Sequence, residues 1–123
     1  MEKTLKIKSG EIVLVDLNPV KGGEKGKTRP CLVLVGSGHP WAIVIVVPIT
    51  ELDGGFRPAK LFVPIPADDK TGLTKPSAID CFQVRCLSER RVSSKLGVAP
   101  KDILEEARTR LAAVLNIGEE HIT

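Results

Sequence analysis

The chain has very few aromatic residues. Its 123 residues include no tyrosine, a single tryptophan (Trp41) and three phenylalanines, Phe56, Phe62 and Phe82. A ligand held by stacking must therefore lean on few rings or on the planes of arginine. Cysteine is scarce and odd in number, and Cys31, Cys81 and Cys86 have no paired CxxC spacing. Neither a disulfide framework nor a zinc site is indicated, and the three are expected to be reduced apolar fillers. The two histidines, His39 and His121, stand far apart and outside any motif. GxSxG, HExxH and GxGxxG are all absent, and the main glycine-rich loop leads into a strand where a P-loop must lead into a helix. An enzyme built from this chain works without a histidine base or a cysteine nucleophile. No long apolar run exists either: residues 42–47 are the nearest to one and are too short to span a bilayer. Residues 1–8 lack the apolar stretch of a signal peptide. The expectation is a cytoplasmic protein with no membrane partner and no metal or other cofactor.

What is present is organised around Gly22-Gly23-Glu24-Lys25-Gly26-Lys27-Thr28-Arg29-Pro30. Apolar runs flank it, Ile12 to Leu17 before and Cys31 to Val35 after. The net charge of +3 is mild, but residues 21–30 place four bases against one acid, while residues 101–120 are slightly acidic. Such a loop can attract a polyanion, and its glycines let backbone approach a ligand closely, although composition alone favours a merely solvated lysine-bearing loop. Arg29 stands where the loop re-enters the sheet, so rigid backbone on one side holds its guanidinium. The reading is a loop that holds RNA, with Arg29 acting on it.

The length fits one domain, taken as residues 1–123, with a single ordinary core. Strands are predicted at Ile12–Leu17, Arg29–Val35 and Ala42–Val47, then around Leu61–Pro64 and over Ser77–Arg85, with a short edge strand through Val92. The first eight or so residues read as frayed or only loosely paired. Over Ser77–Arg85, alternation puts Gln83 and Arg85 together on one face, and a core role is expected for Phe62 and Phe82. From about Pro100 to Leu115, Ile103, Ala107, Leu111 and Val114 form one apolar stripe of a helix, with Gly118 as its stop. Short strands, a terminal helix and no βαβ alternation indicate a mainly β fold: a small antiparallel barrel or curled sheet with a C-terminal α-helix.

Six elements stand in order: Gly10-Glu11-Ile12-Val13, Asp16-Leu17-Asn18-Pro19, Gly22 through Arg29-Pro30, Val47-Pro48-Ile49-Thr50, Gly72 through Ser77, and Gln83-Val84-Arg85. Together they resemble the MazF/PemK-like toxins of bacterial toxin–antitoxin systems, over roughly residues 9–116. Each element is weak alone; their order and spacing are specific. The resemblance implies an SH3-like barrel working as a homodimer. It implies metal-independent, sequence-selective cleavage of single-stranded RNA (an mRNA interferase), blocked by a cognate antitoxin. Carried over by position, Arg29 and Thr50 match the catalytic pair and Glu24 the acidic residue of the loop. Leu14 stands where many relatives carry tryptophan, and Phe82 where many carry an acid; the second departure bears on base preference.

The chemistry agrees with these residues. RNA brings its own nucleophile, the 2′-hydroxyl, whose attack on the adjacent phosphate leaves a 2′,3′-cyclic phosphate and a 5′-hydroxyl. A guanidinium fork suits two phosphate oxygens, and a threonine hydroxyl donates a further hydrogen bond. Because arginine stays protonated in proteins, the electrostatic role of Arg29 is weighted above the acid–base part that the resemblance implies, and Glu24 is left open as a proton acceptor. Lys25, Lys27 and Arg85 are candidate phosphate contacts, Gln83 a reader of a base edge, and Phe56 a stacking ring. Two rivals use the same fold. A CcdB-like gyrase poison depends on a Trp-Gly-Ile tail, whereas this chain ends Glu120-His121-Ile122-Thr123. A non-catalytic RNA-binding module would bind without cutting.

Overall fold

The computed structural model describes residues 6–19, 21–24, 27–38, 40–55 and 57–118. Seven strands and a helix follow one another as β1 (Glu11–Asp16), β2 (Thr28–Val35), β3 (Ile43–Glu51), β4 (Phe62–Ile65), β5 (Ser77–Asp80), β6 (Arg85–Ser88), β7 (Val92–Val98) and α1 (Lys101–Val114). All pairings are antiparallel. The order across the sheet is β4-β5-β3-β2-β1-β7, with β6 joined to β3. Among the described residues the end strands β4 and β7 do not pair, so the sheet is curled but open.

The long strand β3 serves two neighbours on one edge. Its first half, Ile43–Val46, pairs with β6, and its last residues, Ile49–Glu51, pair with β5. Between β5 and β6 the chain makes a 3-10 turn at Cys81–Gln83. The single strand expected over Ser77–Arg85 is therefore two strands and a corner. The Asp80 carboxylate accepts from the Phe82 N–H at 3.2 Å and caps this turn, a local bond that outcompetes the ladder. Phe82 swings outward and is 63% exposed, so its expected core role does not hold. Phe62 is half-buried, with the Arg57 guanidinium 5.5 Å from its ring centre.

Both faces of the sheet are covered, which is why the strands read as near-continuous apolar runs. On one face Ile12, Leu32, Val47, Ile49, Val63 and Ile79 pack with Ala107 of α1, and Ile103, Leu104 and Leu111 close over them. On the other, β6-β3-β2-β1-β7 wrap around Val13, Val15, Cys31, Val33, Val44, Val46, Leu87 and Val92. Full burial of each such side chain is worth about 1.5–3 kcal/mol. Ile7 belongs to this second core and is not frayed. Its N–H donates to Ser37 Oγ and its carbonyl accepts from the Ser37 N–H, both at 2.8 Å. Gly36 permits the approach, since a Cβ there would lie 2.2 Å from the Ile7 carbonyl oxygen.

The helix falls within the expected span, but its stop is Asn116, not Gly118. Asn116 takes φ 59°, its N–H bonds the Ala113 carbonyl and the Ile117 N–H bonds that of Ala112. That is the Schellman pattern, in which asparagine is the usual alternative to glycine. β7 also runs well past Val92, to Val98, because it pairs along β1.

Cys31 and Cys81 are buried as expected, whereas Cys86 is exposed. Burial pushes the Cys31 thiol up to about 12 against the lowering pull of Arg85 and Arg29. Burial, with Asp80 beside it, pushes Cys81 up to about 11. The folded protein at pH 8 is expected to take a single label from a thiol reagent, and Cys86→Ala none; mass spectrometry counts the labels.

Candidate active site

The site grows out of the β2–β3 pairing. Val33, Leu32 and Cys31 lie opposite Val46, Val47 and Pro48. Continued two residues beyond the last pair, the same register sets Arg29 opposite Thr50, on the face that carries Cys31 and Val33 further back. Both strands are held from behind: Arg29 lies opposite Val15 of β1, and Thr50 opposite Ala78 of β5. Thr50 is only 8% exposed and Arg29 is half-buried, so the strands that carry them hold both residues in place.

Arg29 and Thr50 line one cleft of about 560 Å³. Thr28 and Pro30 border it from β2, Glu51 and Asp53 from the end of β3, and Leu73, Thr74, Lys75 and Ser77 from the segment before β5. Leu96 of β7 also contributes. The Lys75 ammonium is 3.9 Å from Glu51, and the Arg57 guanidinium 3.4 Å from Asp53. The cleft thus joins a guanidinium, hydroxyls and carboxylates. Among the described residues no three His, Cys, Asp or Glu side chains gather to hold a metal ion.

Glu24 lies in a neighbouring groove of about 440 Å³, with Gly23, Phe82, Gln83, Val84 and Arg85. Its Oε1 accepts from the Lys21 N–H at 2.7 Å, and its own N–H bonds the Lys21 carbonyl at 3.2 Å, a tight turn through Gly22 at φ 57°. Gln83 and Arg85 do come together here, but through the corner at Cys81–Gln83, not along one strand face. Each also grips the loop: Gln83 Nε2 donates to the Gly23 carbonyl at 3.2 Å and Arg85 Nη1 to that of Leu17 at 2.9 Å. Arg85 lies opposite Val46 of β3, which in turn faces Val33 of β2, so the groove borders the same two strands that carry Arg29 and Thr50. Lys27 is exposed at φ 65°. Lys25 and Phe56 lie outside the described residues.

Sequence reasoning did not single out Glu51, Asp53 or Lys75. The available signals were adjacency: Glu51 follows Thr50 directly, and Lys75 sits inside the Gly72–Ser77 element.

The described part of the molecule contains no helix long and apolar enough to cross a membrane. Comparison with known proteins gives consistent relatives. The chain is 33% identical over 119 residues to the endoribonuclease toxin ChpB of Escherichia coli (strain K12), a match covering 94% of this chain and 99% of that protein. Its fold matches the crystal structure of MazF (Form-I) from Deinococcus radiodurans with a TM-score of 0.74 at 26% identity, covering 94% of this chain and all of that one. MazE–MazF (Form-II) from the same organism matches with a TM-score of 0.69 at 27% identity, covering 90% and 96%. Residues 8–115 match the family described as PemK-like, MazF-like toxin of type II toxin–antitoxin system. The chain belongs to that family.

Proposed function

We propose that this toxin is a sequence-selective endoribonuclease that cuts single-stranded RNA without a metal. One observation carries the reading: β2 and β3 bring Arg29 and Thr50, far apart along the chain, to the lining of a single cleft. The 2′-oxygen of the substrate attacks the adjacent phosphorus, forming a new P–O bond, and the bond to the 5′-oxygen breaks. Charge gathers on the phosphate oxygens, where the Arg29 fork and the Thr50 hydroxyl stabilise it. The 2′-hydroxyl proton passes to a carboxylate, for which Glu24 is our assignment and Glu51, in the cleft itself, the rival. The departing 5′-oxygen takes a proton and leaves as a hydroxyl.

Lys25, Lys27, Gln83, Arg85 and Phe56 are proposed to hold the flanking RNA. The adjoining grooves support a strand that runs from the cleft past the loop. We further propose a cytoplasmic homodimer that a cognate antitoxin silences. A two-fold arrangement lengthens the footprint of so small a protein, and MazF of D. radiodurans is solved together with MazE.

The test is cleavage of a long transcript. Wild type is expected to cut it at defined sites, and Arg29→Ala and Thr50→Ala to lose about 100-fold or more in rate while keeping their circular dichroism. A variant that cuts at the wild-type rate removes that residue from the site. Binding without cutting by wild type supports the non-catalytic module, and gyrase inhibition without RNA cleavage supports the poison.

A further inference from the structure

Three consecutive carbonyls at the start of the β1–β2 loop are held by arginines from the far end of the chain. Arg91 Nη1 donates to the Asp16 carbonyl at 3.0 Å and also to the Asn18 carbonyl. Arg85 Nη1 donates to the Leu17 carbonyl between them. Across the loop the grip is passed on. Asn18 Oδ1 accepts from the Lys27 N–H at 3.0 Å, and the Leu17 N–H bonds the Lys27 carbonyl at 2.9 Å. Lys27 stands at φ 65°, a conformation that lysine rarely takes unless its surroundings impose it. The next two residues are Thr28 and Arg29, both in the cleft.

We propose that Arg91 is a positioning residue for RNA cleavage, acting through Asn18 and Lys27 on Arg29. The proposal rests on the reading of function above. Two roles for such an arginine make opposite demands. A phosphate contact spends its donors on the ligand, so its loss weakens binding and lowers the salt dependence. Arg91 spends Nη1 on two backbone carbonyls that flank the loop base, so its loss frees the loop and leaves the count of phosphate contacts unchanged. Arg91 is half-buried but these hydrogen bonds are exposed, so water can replace them and the fold survives. What is lost is the aim of Arg29, and a misplacement of about 1 Å costs up to about 100-fold in rate.

The experiment compares wild type, Arg91→Met, Arg91→Lys and Asn18→Ala on one RNA oligonucleotide between 50 and 200 mM salt. Arg91→Met is expected to lower kcat about 10-fold with KM within about twofold of wild type and an unchanged salt slope. Arg91→Lys recovers part of the loss, because an ammonium reaches one carbonyl. Asn18→Ala breaks the next link, so it reproduces the kcat loss, and the double variant is no worse than the more impaired single one. Asn18→Ala carries the test if Arg91→Met fails to fold. Hydrogen exchange at the Lys27 and Leu17 amides should quicken in Arg91→Met, a readout that needs no RNA. A raised KM with unchanged kcat and a shallower salt slope makes Arg91 a phosphate contact and overturns the proposal; so does wild-type kinetics in Arg91→Met. A wild-type protein that cuts no RNA overturns the functional reading, and this proposal with it.

Discussion

One 2′-deoxy substitution on the nucleotide 5′ to the scissile phosphate stops cleavage at that bond. The substrate's own 2′-oxygen is the nucleophile in the proposed reaction, and removing it leaves nothing to attack. Neighbouring phosphates and base edges are untouched, so binding is nearly kept, and the modified oligonucleotide should compete with the ribose substrate. The assay is run in EDTA, which is expected to leave the wild-type rate on all-ribose RNA unchanged. Products of the all-ribose strand should end in a 2′,3′-cyclic phosphate, or its hydrolysed form, and a free 5′-hydroxyl. Cleavage of the deoxy-substituted strand at the same bond would make water or a protein group the nucleophile and end the Arg29–Thr50 account.

Gly72→Ala is expected to destabilise the protein by about 3 kcal/mol or more, a large share of the 5–15 kcal/mol typical of a domain. Two effects add. Gly72 takes φ +74°, which costs a residue with a side chain about 1–2 kcal/mol. A Cβ there would also lie 2.1 Å from the Leu96 carbonyl oxygen and 2.6 Å from its carbon, so the turn must leave β7. Gly97 makes the reciprocal contact, where a Cβ would meet the Lys70 carbonyl oxygen at 2.2 Å. Because Leu73, Thr74 and Lys75 wall the cleft just beyond this turn, cleavage should fall along with stability. Gly22→Ala is the control. Its φ is +57° with nothing within 4 Å of the added carbon, so only the backbone penalty of about 1 kcal/mol applies. Urea midpoints decide the matter: equal midpoints for the two variants would show that the approach to Leu96 is not what fixes glycine at 72.

Much of this architecture could be read from residues that act locally. The runs at Ile12–Leu17 and Arg29–Val35 and the stripe Ile103, Ala107, Leu111, Val114 each announce an element through their own spacing, and each element stands there within a residue or two. The corner at Cys81–Gln83 was not legible because Ser77–Arg85 keeps a passable strand pattern; a single Asp80 hydrogen bond decides against it. Asn116 is hard to recognise for the same kind of reason, since a glycine two residues on offers the commoner stop. Arg29 and Thr50 could be singled out by motif, but their meeting depends on strand register, which period-two alternation does not specify between distant strands. The walls supplied by Glu51, Asp53, Lys75 and Leu96 come from separate segments that only the curled sheet brings together. The Arg91 brace was equally hidden, because nothing in a run of charged residues shows that one guanidinium turns back onto carbonyls more than seventy positions earlier.

Arg29 and Thr50 both belong to the first half of the 123-residue polypeptide, but that half does not complete their surroundings. β1, which backs Arg29, takes its other neighbour from Val92–Val98, and Leu96 closes part of the cleft. These pieces leave the ribosome late. A nascent chain therefore displays the two residues long before they are set in a working geometry, since pairings between distant segments form only after both have been made. The chain order itself thus keeps the cleft incomplete until residues 92–98 have been made.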